Sequence, residues 1–80
     1  MHPDVVAVIP REHYSLDVCF ANSERKRFDV RPFLHLPVFK RLQSAGYFDR
    51  AHVENGTVVW DEQLDLSPDT LYLQGVAVPS

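Results

Sequence analysis

Apolar and polar residues alternate most cleanly at Ser15-Leu16-Asp17-Val18-Cys19-Phe20. A period of two marks a strand with Leu16, Val18 and Phe20 facing a core and Ser15, Asp17 and Cys19 facing out. Before it lies Val5-Val6-Ala7-Val8-Ile9, apolar at both parities. Such a strand is buried on both faces or covered by a partner subunit, and Pro10 is expected to end it. After it, Asn22-Ser23 turns the chain into Arg25 to Val30, with Phe28 and Val30 facing in. A two-residue loop would set Phe20 against Arg25 and Asp17 against Phe28, mixing the faces. A three-residue loop or a bulge sets Phe28 beside Leu16 or Val18, so the longer loop is predicted.

Pro32 breaks the third strand. Pro37 opens a predicted helix through about Ser44, with Val38 and Leu42 one turn apart, Phe39 flanking them, and Lys40 and Arg41 in water. Gly46 is its stop, and Tyr47 and Phe48 should then plug the core. Asn55-Gly56 is a strong two-residue hairpin signal. It pairs Val53 with Val58 and Ala51 with Trp60 on one face, and leaves His52 and Val59 on the other. An acidic turn follows, then Ser67-Pro68-Asp69. Ser67 can cap a helix, Pro68 suits its first position, and Asp69 suits the positive end of its dipole. That helix is predicted to about Leu73, with Val76-Ala77-Val78 as a short edge strand after Gly75. The expected fold is one α+β domain over residues 1–80. It is a small antiparallel sheet in the order β-β-β-α-β-β-α, with two short helices packed on one face.

The length, 80 residues, changes this picture by making the core marginal. One cysteine, Cys19, permits no internal disulfide, so a homodimer is expected to supply the missing burial. The lone cysteine and the absence of an export signal fit a cytoplasmic protein, and no apolar run is long enough to span a membrane.

Candidate chemistry is sparse. The histidines, His2, His13, His35 and His52, are scattered, with no ligand spacing between them or to Cys19. Cys19 has no evident general base, and Ser15, Ser44 and Ser67 are no better placed as nucleophiles. The three glycines are isolated, so no phosphate-cradling loop exists. The reading is therefore no enzyme, no cofactor and no metal. Charge is uneven: residues 1–48 hold seven Lys/Arg against five Asp/Glu, and residues 49–80 hold Arg50 against six Asp/Glu. Asp61, Glu62, Asp65 and Asp69 make an acidic patch without calcium-loop spacing; a solvated turn explains it most simply, and a partner-binding surface is the functional reading. Arg25, Lys26, Arg27, Arg31, Lys40 and Arg41 are the basic counterpart, with Arg25 and Arg27 on one strand face and Lys26 on the other, and Arg25, Arg27, Lys40 and Arg41 are the candidates for a nucleic-acid surface. Edge-strand protection accounts for them, and phosphate attraction in a regulatory nucleic-acid module is the alternative. The acidic second half argues against nucleic acid as a ligand for this chain alone.

One stretch suggests a family: Trp60, then Asp65-Leu66-Ser67-Pro68-Asp69 and Leu71-Tyr72. With Val5 to Ile9, Leu16-Asp17-Val18, Phe20, Phe28-Asp29-Val30, Pro32, Val38-Phe39, Leu42 and Phe48, the chain resembles the bacterial family called domain of unknown function 2442. The likeness runs from Val5 to Tyr72. Asn22-Ser23 departs from the family's usual Asp-Gly at the first turn. The resemblance implies a small α+β fold with no known active site. Some members carry a helix-turn-helix domain behind this one, a pattern not seen here. Others pair with a second small protein in the manner of a toxin–antitoxin module. The implied role is a non-catalytic interaction domain, antitoxin-like, with Asp61, Glu62, Asp65 and Asp69 as partner-facing charges.

Overall fold

The computed structural model describes residues 2–78. Strands β1 (Val5–Arg11), β2 (Ser15–Phe20) and β3 (Arg25–Asp29) form two successive antiparallel hairpins. Strands β4 (His52–Glu54), β5 (Thr57–Asp61) and β6 (Leu64–Leu66) form a separate meander. Helix α1 (Pro68–Gln74) follows, and β7 (Val76–Ala77) returns to the edge of β3. The α+β class holds, but the single sheet does not. There is a four-stranded sheet ordered β1-β2-β3-β7 and a three-stranded sheet ordered β4-β5-β6. Residues 31–50, between β3 and β4, contain three 3-10 segments: Arg31–Phe33, Pro37–Gln43 and Phe48–Arg50. They contribute Phe39, Leu42 and Phe48 to the core shared by the two sheets.

The predicted helix at Pro37 is one of these 3-10 segments. No side chain caps its start, and its bonds include Phe39 N–H to Leu36 O at 3.0 Å and Ser44 N–H to Arg41 O at 3.2 Å. A turn of three residues, not 3.6, decides which side chains share a face. Phe39 and Leu42 are therefore buried together, and Val38, expected beside Leu42, is exposed. Lys40 and Arg41 are exposed as expected. The second predicted helix is present as α1, where Ser67 Oγ accepts a hydrogen bond from Thr70 N–H at 3.2 Å.

The first two hairpins settle the register by matching faces. Leu16 pairs with Phe28 and Val18 with Lys26, as a three-residue loop requires. Ser23 takes the left-handed conformation, at φ 73°. Asn22 Oδ1 accepts a bond from Glu24 N–H at 3.0 Å. Leu16, Val18, Phe20, Phe28 and Val30 are all buried. In the second sheet Val53 pairs with Val58 and His52 with Val59. Asn55 (φ 51°) and Gly56 (φ 78°) both lie in the left-handed region, as a two-residue hairpin of the primed kind demands. Gly56 is doubly constrained, since a Cβ there would sit 2.6 Å from the Asp4 Cγ. Its carbonyl accepts from Val5 N–H at 3.0 Å, which ties the second sheet to the start of the first.

β1 differs most from expectation. It runs through Pro10, which pairs with Leu16, because an edge strand tolerates a missing N–H. A register shift between Val5 and Ala7 makes Val6 a bulge. Val5 is buried and Val8 half-buried, while Val6 (58%) and Ile9 (52%) are exposed, so both faces are not covered within this chain. β6 was not foreseen: Leu64 and Leu66 are buried beneath what reads in the sequence as an acidic turn.

Candidate functional site: the open face of the first sheet

Pairing fixes what the outer face of the first sheet carries. Ala7, Cys19 and Arg25 lie in one cross-strand row; Ile9, Asp17, Arg27 and Val76 in the next; Arg11, Ser15 and Asp29 in the third. None of these residues is buried. α1 lies on the opposite, inner side, where Lys26 Nζ donates to the Tyr72 carbonyl at 2.6 Å and sits 4.0 Å from the Tyr72 ring centre.

Asp17 organises this face. Its carboxylate accepts from Arg27 Nε at 2.8 Å and Arg11 Nε at 2.6 Å. The Arg27 bond is the main cause holding the Asp17 carboxyl below its usual range, with Arg11 adding to it. Each arginine gives Asp17 only its Nε, and both side chains stay more than half exposed. Arg31 lies beyond, giving Asp29 Nε and Nη2 bonds at 3.0 Å together with its backbone N–H. Two grooves share Ser15, Arg27 and Arg31. One, of about 540 Å³, adds Phe28, Phe33 and Val76. The other, of about 940 Å³, adds Arg11 and His13 together with Glu12 and Asp49. His13 (φ 59°) and Tyr14 (φ 58°), both left-handed, form the β1–β2 loop, and the Tyr14 ring meets Phe48 edge-on at 5.2 Å.

The sequence-predicted charges fare unevenly. Arg25 and Arg27 share the open face, but Lys40 and Arg41 lie on the 3-10 segment. Arg41 Nη1 donates to Asp61 of the second sheet at 2.8 Å. The four do not form one patch. Arg31, named in the basic group, lies beyond Arg27, whereas Arg11 was missed; strand alternation across both hairpins is the signal that places Arg11 beside Arg27. Asp61 is turned to structural work. It accepts from the Tyr47 hydroxyl, from Gln63 N–H at 2.8 Å and from Arg41. The Tyr47 bond leads in holding its carboxyl down to about 2, and the same contact raises the Tyr47 hydroxyl. Glu62, Asp65 and Asp69 are exposed and belong to none of the ion pairs among the described residues.

Of the histidines, His2 packs on Tyr72 at 5.2 Å and His35 is exposed. His52 lies between Arg50 O (2.9 Å) and Glu54 Oε2 (2.5 Å), and these two acceptors, the carbonyl first, raise its pKa. Among the described residues no three His, Cys, Asp or Glu side chains gather as a metal set, and no helix is long and apolar enough to cross a membrane.

Two small antiparallel sheets sharing one core, with the outer face of the larger one uncovered within this chain, define a small α+β domain. The chain belongs to the family of proteins of unknown function DUF2442, whose profile matches residues 5–77. A solved structure of a candidate DNA-binding protein from Nitrosomonas europaea ATCC 19718 is similar, with a TM-score of 0.79 and 24% identity. The match covers 90% of this chain and 48% of that one, so this chain spans about half that protein's length. Likeness at this identity establishes a shared fold. No curated protein matches the chain.

Proposed function

We propose that this chain is a non-catalytic protein-interaction domain that works as a homodimer and presents further surface to a second protein. The observation carrying this reading is the open face of the first sheet with its β1 edge, where Val6, Ala7 and Ile9 meet solvent without a charged neighbour on their own strand before Arg11. A second copy offers the same uncharged strand, and burying it adds apolar area that a chain of this size lacks. The partner-facing charges are Glu62, Asp65 and Asp69, with Asp61 held back by Arg41 and Tyr47. Antitoxin-like pairing with another small protein is the concrete form of the role. Light scattering tests the dimer: the wild-type chain is expected at twice its monomer mass, and Ile9→Glu at the monomer mass with an unchanged circular dichroism spectrum. A wild-type monomer at all concentrations sinks the dimer.

A second reading, a regulatory nucleic-acid module, is favoured by the meeting of Arg11, Arg25 and Arg27 on one face and by the description of the Nitrosomonas europaea protein. Against it, Arg11 and Arg27 already share Asp17, and that protein is about twice as long as the matched part. A gel shift titrated with salt separates the readings. Nucleic-acid binding that falls steeply with salt and is lost in Arg25→Ala/Arg27→Ala supports the module; its absence at low salt removes it.

A further inference from the structure

We infer that the end of β3 receives an extended peptide strand of a partner protein, with acidic side chains alternating with apolar ones. This deepens the interaction-domain reading and rests on it. The backbone carries the first part of the argument. Val30 N–H donates to Tyr14 O at 2.9 Å, so even-numbered residues of this segment aim their peptide groups at β2. Val78 N–H donates to Arg25 O at 3.0 Å, so the odd-numbered residues aim theirs at β7. Alternation therefore points the Asp29 N–H and C=O to the β7 side. β7 pairs only with Lys26 and Arg27, and among the described residues no strand lies opposite Asp29. An unpaired strand end of this kind is a template for one more strand.

The side chains around it say what that strand carries. The groove of about 540 Å³ at this edge, within the size range of ligand sites, is lined on its apolar side by Phe28, Phe33 and Val76. Phe33 stacks on Phe28 at 5.7 Å and meets Phe39 at 5.6 Å, which makes a fixed aromatic floor. Its polar side holds Arg27 and Arg31. Arg27 gives its Nε to Asp17 and uses neither Nη in a hydrogen bond among the described residues; Arg31 likewise keeps Nη1. Asp29 is paired with Arg31 and Asp17 is shared between Arg27 and Arg11, so three arginines face two carboxylates here and one positive charge is left over, shared by Arg27 and Arg11. Side chains of an added strand alternate between the two faces. Those on the inner face cover the phenylalanine floor, and those on the outer face meet guanidinium groups that bind carboxylates through paired donors. Because β7 is the opposite edge from β1, a dimer formed through β1 leaves this groove free.

The probe is a fluorescein-labelled seven-residue peptide of alternating valine and glutamate, with a valine–lysine peptide as its counterpart, read by anisotropy. The acidic peptide is expected to bind about tenfold or more tightly than the basic one, the size of one charge-assisted hydrogen bond. Arg27→Gln, or Arg31→Gln should the first variant lose its circular dichroism spectrum, is expected to weaken binding by about tenfold, and Arg25→Gln to leave it unchanged. Hydrogen exchange at the Asp29 amide should slow with the acidic peptide alone. Equal binding of the two peptides, indifference to Arg27→Gln, or no saturation at millimolar peptide overturns the inference. Concentration-dependent protection of the Asp29 amide without peptide also overturns it, by making a second copy the occupant. None of these results touches the β1 dimer, which light scattering judges separately.

Discussion

Trp60→Ala is expected to remove a large part of the chain's stability and shift its urea midpoint sharply downward. Trp60 is 2% exposed, its ring packs against Phe48 at 6.0 Å, and its Nε1–H donates to the Phe48 carbonyl at 2.9 Å. Removing a large aromatic from a packed core costs about 3–5 kcal/mol. A chain of this length holds only roughly 4–12 kcal/mol in all. The loss is concentrated because Trp60 joins β5 to the 3-10 segment at Phe48, which in turn contacts Tyr14 of the first sheet. Trp60→Phe separates the two contributions: it keeps most of the packing but strips the Phe48 carbonyl of its donor, costing about 1–3 kcal/mol. Urea denaturation followed by far-ultraviolet circular dichroism measures both. A Trp60→Ala variant with a midpoint close to wild type would mean that the two sheets do not depend on this contact.

Asp61→Asn is expected to produce a stability deficit that depends on pH. The Asp61 carboxyl is held at about 2, against 3.8 for an unperturbed group. A depressed folded-state value contributes stability that is complete above 3.8 and fades as pH falls through about 2. The variant should therefore be less stable than wild type at neutral pH, and the two should converge as acid protonates the wild-type carboxyl. Asparagine can still accept from Gln63 N–H, so the turn between β5 and β6 persists and the loss reports the charge facing Tyr47 and Arg41. Thermal midpoints of both proteins across a pH series provide the measurement. A deficit that stays constant into strong acid would show that the carboxylate charge is not what these partners recognise.

What was legible in the sequence follows from how local each determinant is. Leu16, Val18 and Phe20 announce their face by alternation alone, and Asn55-Gly56 sets its hairpin without help. The loop after Phe20 was readable because only one length puts Phe28 against Leu16. The segment from Pro37 was misread because spacings of three and four residues both fit its apolar residues. Packing chose Phe39 with Leu42, which a 3-10 turn allows. β6 escaped notice because Leu64 and Leu66 are too few to show a period among Asp61, Glu62 and Asp65. The division into two sheets depends on where residues 31–50 lie in space, which no local pattern records. At the open face, Arg25 and Arg27 were visible, but Arg11 joins them only once two hairpin registers are combined. The tie from Arg41 to Asp61 joins residues twenty positions apart, and nothing in either neighbourhood marks it.

The bulge at Val6 and the proline at position 10 bear on what happens when these molecules are concentrated. A long greasy border of backbone donors invites endless stacking into fibres. Here Val5 N–H is already spent on Gly56 O, Val6 kinks the line, and Pro10 contributes no donor, so only a short run between them remains for a newcomer. Any association at this border is therefore expected to stop at a closed pair rather than to extend into a fibre.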